Sequence, residues 1–282
     1  MADTPYLKYF GLKEEAFSPV PNPRFFFLTP THAIAMEKTR LTVQSGKGLS
    51  VVYGEHGTGK SSLARLLHAQ FLEKGFRSVL LTNPSFPTPF ALLKKIVAEF
   101  QVPPAYSYGE TLDRFKNYLF EFGRSADLPI VLIIDEAQAL RFPLLELMRQ
   151  IMNYETNEAK LLQLVLFGED ALRGKLSHPR MASFRSRIAM ASGLSALTDD
   201  EVAQMMSFRW NVASGGQQHP FADEAITLLA EASGGNPREV SILADNSLLL
   251  SFLNKKPTVE REHVEQAVAD RRQLISLAPK KA

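Results

Sequence analysis

Gly54-Glu55-His56-Gly57-Thr58-Gly59-Lys60-Ser61 is the run from which the rest of the chain is read. It satisfies the phosphate-binding pattern G-x-x-x-x-G-K-[S/T] at every fixed position. A β-branched apolar run, Leu49-Ser50-Val51-Val52-Tyr53, precedes it, and a helical pattern from Ser62 to Leu72 follows it. With ordinary glycine and lysine usage, a chance match in a chain of this length arises on the order of once in a hundred. The flanking strand and helix make it rarer still. The glycines let the loop curl until successive backbone N–H groups point inward at the β- and γ-phosphates of a nucleoside triphosphate. The helix opening near Gly59 adds the positive end of its dipole. Lys60 brings a mobile point charge, and the Ser61 hydroxyl is a ligand for Mg²⁺. Gly54, Glu55, His56, Gly57, Thr58, Gly59, Lys60, Ser61 and Ser62 are therefore the candidate nucleotide-binding residues.

Downstream, Gly75 breaks the helix and Val79-Leu80-Leu81 reads as a second strand. Asn83 to Pro89 is a proline-rich loop before an amphipathic helix, Phe90 to Phe100, and a further helix runs from Glu110 to Arg124. Ile130-Val131-Leu132-Ile133-Ile134 is a run of branched apolar residues, the mark of a strand buried on both faces. It ends in Asp135-Glu136, at the strand end where open α/β sheets bind ligands. Asp135 would complete the Mg²⁺ shell, directly or through water, and Glu136 would polarise the water that attacks the γ-phosphate. A surface acidic pair capping the next helix is the alternative. Leu144 to Asn153 reads as a helix, and Leu161 to Phe167 as a fourth strand leading into Gly168-Glu169-Asp170. Arg173 to Met181 reads as a basic linker. Phe184-Arg185-Ser186-Arg187-Ile188 then enters a fifth strand ending at Leu194. Arg185 and Arg187 are candidates for a finger inserted at a neighbouring subunit's γ-phosphate, or else plain surface charges. The alternation of strands and helices predicts a parallel α/β sheet.

From Leu197 the pattern turns purely helical. Thr198-Asp199-Asp200-Glu201 is an N-cap with acid in the first turn, opening a helix to about Ala213. Asp223 to Ala232, Pro237 to Leu253 and a Thr258-capped segment to Leu274 complete four helices. Arg238 follows the Gly234-Gly235 pair at the start of the third; it is placed to reach back to the nucleotide or to stay solvated. At the other end, prolines forbid a regular helix through Pro19 to Pro23. The aromatics around them predict an extended strap with buried rings, part of it a candidate wall for the adenine pocket. The expected segments are the strap (1–30), the α/β nucleotide-binding domain (31–196), the helical domain (197–274) and a basic tail (275–282).

The 282 residues suit one larger and one smaller domain, and 45% hydrophobic with 22% charged residues is ordinary for a soluble globular protein. A net charge of +2 neither demands nor excludes nucleic acid. The absence of cysteine excludes disulfides, zinc knuckles and thiol catalysis. No secretory core opens the chain and no apolar run reaches about 18 residues. The expectation is a cytoplasmic protein without membrane insertion.

Phosphate loop, strand-Asp-Glu, a fourth strand ending in a polar residue, arginines before strand five, then helices carrying Gly234-Gly235-Asn236-Pro237-Arg238: in this order the chain resembles the AAA+ ATPases. Tyr9-Phe10-Gly11-Leu12, Phe17 and Pro21-Asn22-Pro23-Arg24-Phe25-Phe26-Phe27 resemble the ExeA/GspA/MshM group in particular. So do Ile134-Asp135-Glu136-Ala137-Gln138 and Leu161-Leu162-Gln163-Leu164-Val165-Leu166. The resemblance spans about residues 6–272 and implies a five-stranded parallel sheet flanked by helices, plus a small four-helix lid. It implies that Gly54 to Ser61 is the Walker A loop, Asp135-Glu136 the Walker B pair, Arg187 or else Arg185 the trans-acting finger, and Arg238 the lid sensor. The implied activity is hydrolysis of ATP with Mg²⁺. One position departs from the pattern. Relatives tend to carry a neutral polar residue, often Gln, after the glycine that ends strand four, whereas this chain has Glu169. A carboxylate there is repelled by the γ-phosphate unless Mg²⁺ or an arginine offsets it, and Gln138 is an alternative γ-phosphate contact.

A site completed by a neighbouring subunit implies a homo-oligomer, ring or helical filament, assembled according to nucleotide state. Transposition ATPases of the TnsC and MuB type share this fold, and resemblance to them implies double-stranded DNA and a transposase or targeting factor as partners. The chain is expected to stop after the lid, without the transmembrane and periplasmic parts of a full ExeA-type protein. Lys255, Lys256, Arg261, Arg271, Arg272, Lys280 and Lys281 give the C-terminal region a modest basic excess. Lys94, Lys95, Arg114 and Lys116 lie in segments expected near the pore of such rings, without forming a dense cluster. The ExeA and MshM resemblance implies instead an ATPase for assembly of a secretion or pilus machine, with a membrane partner and no DNA. A third reading, ATP as a structural ligand with negligible turnover, rests on Glu169 alone.

Overall fold

The computed structural model describes residues 5–20, 22–125, 129–156 and 160–276; Pro21 and the tail lysines Lys280 and Lys281 lie outside the described residues. In chain order the elements are α1 (Pro5–Tyr9), α2 (Pro30–Gln44), β1 (Leu49–Gly54), α3 (Lys60–Glu73), β2 (Arg77–Leu81), α4 (Pro89–Glu99), α5 (Tyr108–Ser125), β3 (Ile130–Ile134), α6 (Phe142–Ile151), β4 (Leu162–Gly168), α7 (Asp170–Ser177), α8 (Ala182–Arg185), β5 (Ile188–Leu194), α9 (Asp199–Ser214), α10 (Asp223–Ser233), α11 (Pro237–Leu253) and α12 (Arg261–Ser276). They form two compact units. One comprises Pro30–His56 and Lys60–Ser195; the other comprises Ala196 onward, the segment up to Thr29 and the three residues Gly57–Gly59.

In the α/β unit the five strands run parallel in the order β2-β3-β4-β1-β5. β3 and β4 are buried along their whole length, which is why each reads as an unbroken apolar run rather than an alternation. The one polar side chain inside β4, Gln163, is satisfied at the sheet's lower edge. Its Oε1 accepts from Gly48 N–H at 2.7 Å and its Nε2 donates to the Lys160 carbonyl at 2.9 Å. Leu132, Ile134, Leu164 and Leu166 pack with Leu119 of α5 and Leu144, Leu145 and Met148 of α6 in one core. The register pairs Tyr53 with Gly168 and Ile134 with Leu166, so the C-terminal ends of β1, β4 and β3 lie side by side. That edge holds the candidate site.

The helical unit has its own core, and the aromatic N-terminal strap belongs to it. Phe10, Phe17 and Phe25 are buried with Val202, Met206, Trp210, Leu243 and Leu248. Phe10 meets Trp210 edge-on at 6.4 Å between centroids, and Phe17 meets Phe221 at 5.7 Å. The Arg209 guanidinium ties the strap down: Nε donates to Ala16 O at 2.9 Å, Nη2 to Ser18 O at 2.9 Å, and Nη1 to Ser241 Oγ at 2.7 Å. Burial pulls its pKa down to about 10, against the opposing charge of Asp245. Gly235 has φ +71°, and a Cβ there would sit 2.1 Å from the Leu197 carbonyl oxygen. The turn before α11 closes only on a glycine.

Two segments differ from the sequence expectation. The stretch read as a basic linker from Arg173 is largely helical, as α7, with Leu172 and Leu176 buried one turn apart. Its apolar stripe has only these two members, and Gly174 with flanking Arg173 and Lys175 hides it. The last helix begins at Arg261 rather than at a Thr258 cap. Val259 is held extended by a parallel bridge to Phe221, with Val259 N–H donating to Pro220 O at 2.8 Å and Ala222 N–H to Val259 O at 3.0 Å. Tertiary pairing overrides the local capping signal there. The cap of α9 forms as a full box, Thr198 Oγ1 accepting from Glu201 N–H and the Glu201 carboxylate from Thr198 N–H.

Candidate nucleotide-binding site

β1 ends at Gly54 and α3 begins at Lys60, so the phosphate loop spans the gap between strand and helix. Gly57 and Gly59 take φ values of +84° and +90°, open to glycine and strained for other residues. Lys60 is only 5% exposed. Its Nζ donates to the loop's own carbonyls, Gly54 O at 3.0 Å and Glu55 O at 2.6 Å. Burial lowers its pKa, while the charges of Glu169, Glu136, Asp135 and Asp170 push the other way. Four carboxylates therefore act on one ammonium. Among these groups the carboxylates outnumber the ammonium, and a divalent cation would offset them.

Asp135 is buried at the end of β3. Its N–H donates to Leu81 O at 2.8 Å, and its Oδ1 accepts from Glu136 N–H at 2.9 Å. Glu136 itself adopts a left-handed backbone, φ 54° and ψ 35°, which costs a non-glycine residue of order 1 kcal/mol. This turn lifts the glutamate out of the strand direction. With Ser61 and Ser62 in the first turn of α3, the oxygen donors at hand are hydroxyls and carboxylates. Such hard ligands, in a pocket with surplus negative charge, fit Mg²⁺. Ser61 and Asp135 would hold it, and the ion would supply charge neutralisation to the phosphates.

Gln138, the alternative γ-phosphate contact, has both ends of its amide engaged. Its Nε2 donates to Glu136 Oε2 at 2.6 Å and its Oε1 accepts from Glu169 N–H at 3.1 Å. The departure at Glu169 has a local partner too: Glu169 Oε1 lies 3.1 Å from Nδ1 of His56 in the phosphate loop. Two further contacts went unread in the sequence. Lys175 of α7 donates to Gln138 O and to Leu140 O, the latter at 3.2 Å. Arg141, which precedes α6, donates through Nη2 to Phe86 O at 3.0 Å and Pro87 O at 2.6 Å, clasping the loop before α4. No local pattern announces them, because each joins residues more than 30 positions apart through a side chain on a backbone carbonyl.

Arg185 and Arg187 are not gathered with these groups. Arg185 Nη1 donates to Leu176 O at 3.0 Å and Ser177 O at 3.1 Å, closing the C-terminal end of α7. Arg187 is half-buried just before β5, within the field of Glu146 and Glu155, and its Nε has no hydrogen-bond partner among the described residues. β5 pairs parallel with β1, Ile188 opposite Leu49 and Leu194 opposite Gly54, so Arg187 sits at the end of the sheet remote from the loop. Arg238 is the second residue of α11 in the helical unit, its N–H donating to the N-cap Asn236 Oδ1 at 3.1 Å.

Comparison with known proteins agrees with this geometry. Residues 43–176 match the AAA domain family. Together with the sheet order and the loop, this gives the chain the AAA+ P-loop fold. It is similar to General secretion pathway protein A of Aeromonas hydrophila, 34% identical over 249 residues, which covers 88% of this chain and 45% of that protein. The chain thus spans less than half the length of this relative. Among solved structures, Drosophila ORC bound to DNA superposes with a TM-score of 0.71 at 13% identity, covering 99% of this chain and 70% of that one. Cdc6p from Pyrobaculum aerophilum gives 0.70 at 18%, covering 91% and 70%. The RuvB Holliday junction branch migration motor of Thermotoga maritima gives 0.54 at 17%, covering 84% and 68%. At such identities the likeness is one of fold. No helix among the described residues is long and apolar enough to cross a membrane.

Proposed function

We propose that this chain hydrolyses ATP with Mg²⁺ and that its nucleotide state governs assembly into a homo-oligomer, ring or filament. The observation that carries this reading is the meeting of Lys60, Asp135 and Glu136 at one edge of the sheet, under surplus negative charge. Lys60 would leave its loop carbonyls for the phosphates, Ser61 and Asp135 would hold the metal ion, and Glu136 would accept a proton from the attacking water. Arg187 serves as the finger toward a neighbouring subunit, since the Arg185 guanidinium is committed to the end of α7. Arg238 answers the nucleotide from the helical unit.

The oligomer would act on double-stranded DNA in the cytoplasm, as a regulator working with a transposase or targeting factor. Support comes from a fold shared with proteins solved on DNA. A second reading, assembly of a secretion or pilus machine, is favoured by the 34% identity to a secretion-pathway protein over 88% of this chain. One set of measurements tests all of this. Glu136→Gln should bind ATP like the parent, slow turnover at least about a hundredfold and accumulate the ATP-bound oligomer on size exclusion. Parental turnover in that variant overturns the assignment of the base. Duplex binding by polarisation, with ATP, ADP or neither across a salt series, should be ATP-dependent and salt-sensitive. Oligomers that form at low salt without binding DNA would leave the secretion reading.

A further inference from the structure

We propose that Gln138 is a positioning residue that sets the Glu136 carboxylate and ties it to the phosphate loop through the end of β4. The inference rests on the reading of Glu136 as the base. A carboxylate only accepts hydrogen bonds and a backbone N–H only donates them, so the two partners fix the orientation of the amide. Nε2 faces Glu136 Oε2 at 2.6 Å, and Oε1 faces Glu169 N–H at 3.1 Å. Among uncharged side chains, only the shorter asparagine and a neutral histidine also donate from one atom and accept at another.

The surroundings are built to keep the amide there. Lys175 clasps the Gln138 carbonyl, and through Leu140 O it holds the next turn as well. β4 ends in Gly168, where a Cβ would lie 2.7 Å from Leu172 Cδ2 and 3.2 Å from Gln138 Oε1. Any larger residue would crowd the amide and Leu172 together. Glu136 stands in the left-handed region, so its backbone alone does not hold the carboxylate in one direction. Glu169 extends the connection. Its N–H holds Gln138 while its carboxylate meets His56 Nδ1 at 3.1 Å. A path of contacts thus runs from the His56 ring to the Glu169 carboxylate, and from the Glu169 backbone N–H through the Gln138 amide to Glu136.

The test is a double-mutant cycle on ATP turnover by the full chain. Gln138→Met keeps the length and loses both hydrogen bonds. It should lower kcat by roughly tenfold to a hundredfold while the affinity for a fluorescent ATP analogue stays within about twofold and the melting temperature holds. Gln138→Asn, with the same chemistry on a shorter arm, should recover part of the loss. In a Glu136→Gln background, Gln138→Met should cost nothing further, because a residue acting through Glu136 has nothing left to position. Parental kcat in Gln138→Met, or an equal loss in both backgrounds, overturns the inference alone. A parent with no turnover above Lys60→Ala overturns both this inference and the hydrolysis reading beneath it.

Discussion

Lys60, buried, and Arg209, partly buried, are two cations that invite comparison, one in each unit. Arg209 is surrounded by acceptors that match its donors: two backbone carbonyls and a serine hydroxyl, with Asp245 nearby and the Phe25 ring 5.8 Å from the guanidinium. Asp245 is itself engaged by the Tyr6 hydroxyl at 3.2 Å, and burial raises its pKa. That cluster is closed; every group in it answers another. Lys60 is the opposite case. It contacts only two carbonyls of its own loop while four carboxylates act on it from a distance. Charge there is out of balance, and the hydrogen bonds it makes are ones a better acceptor can replace. A closed polar cluster holds structure, whereas an unbalanced one is prepared for a ligand.

The sharpest way to break this comparison is to remove each cation in turn. Lys60→Ala should weaken ATP binding on the order of a thousandfold, since an ammonium about 4 Å from a phosphate is worth about 4 kcal/mol at an effective dielectric of 20. Titration of a fluorescent ATP analogue measures it. Stability in urea should change by about 1 kcal/mol or less. Arg209→Met should do the reverse, costing about 3 kcal/mol of stability because the Ala16 and Ser18 carbonyls lose their donor inside the helical unit. Its urea midpoint reports that loss. If Lys60→Ala destabilises the chain as much as Arg209→Met does, the two sites are not different in kind.

Much of the α/β unit was legible because its signals are local. A Walker-type loop spells its own strand and helix, and the β3 run Ile130 to Ile134 declares its burial by composition. The five strands and their parallel run followed from that alternation. What escaped the sequence is carried by long-range side-chain contacts. Arg209 reads as an ordinary helical arginine until the strap, almost 200 residues upstream, folds onto it. Nothing near Gln138 in the sequence shows that its amide oxygen accepts from Glu169 N–H. α7 was missed for a different reason, its two-residue apolar stripe being too short to outweigh a glycine and flanking basic residues.

Glu169 is where the comparison is most finely drawn, because it belongs to the unbalanced site and yet has a partner. It comes first among the carboxylates acting on Lys60, and its own oxygen lies 3.1 Å from the His56 ring. A γ-phosphate entering the loop meets the Glu169 carboxylate, whose side chain, like that of His56, reaches solvent. Glu169→Gln keeps the shape, removes the charge and leaves the backbone N–H on Gln138 in place. ATP affinity should rise by roughly threefold to tenfold at low ionic strength, and the gain should shrink as salt screens the pair. ADP, lacking the γ-phosphate, should respond less. An equal gain for both nucleotides would mean that Glu169 acts on the loop as a whole through His56. No gain at any salt would place the γ-phosphate beyond its reach and return the imbalance to Asp135 and Glu136 alone.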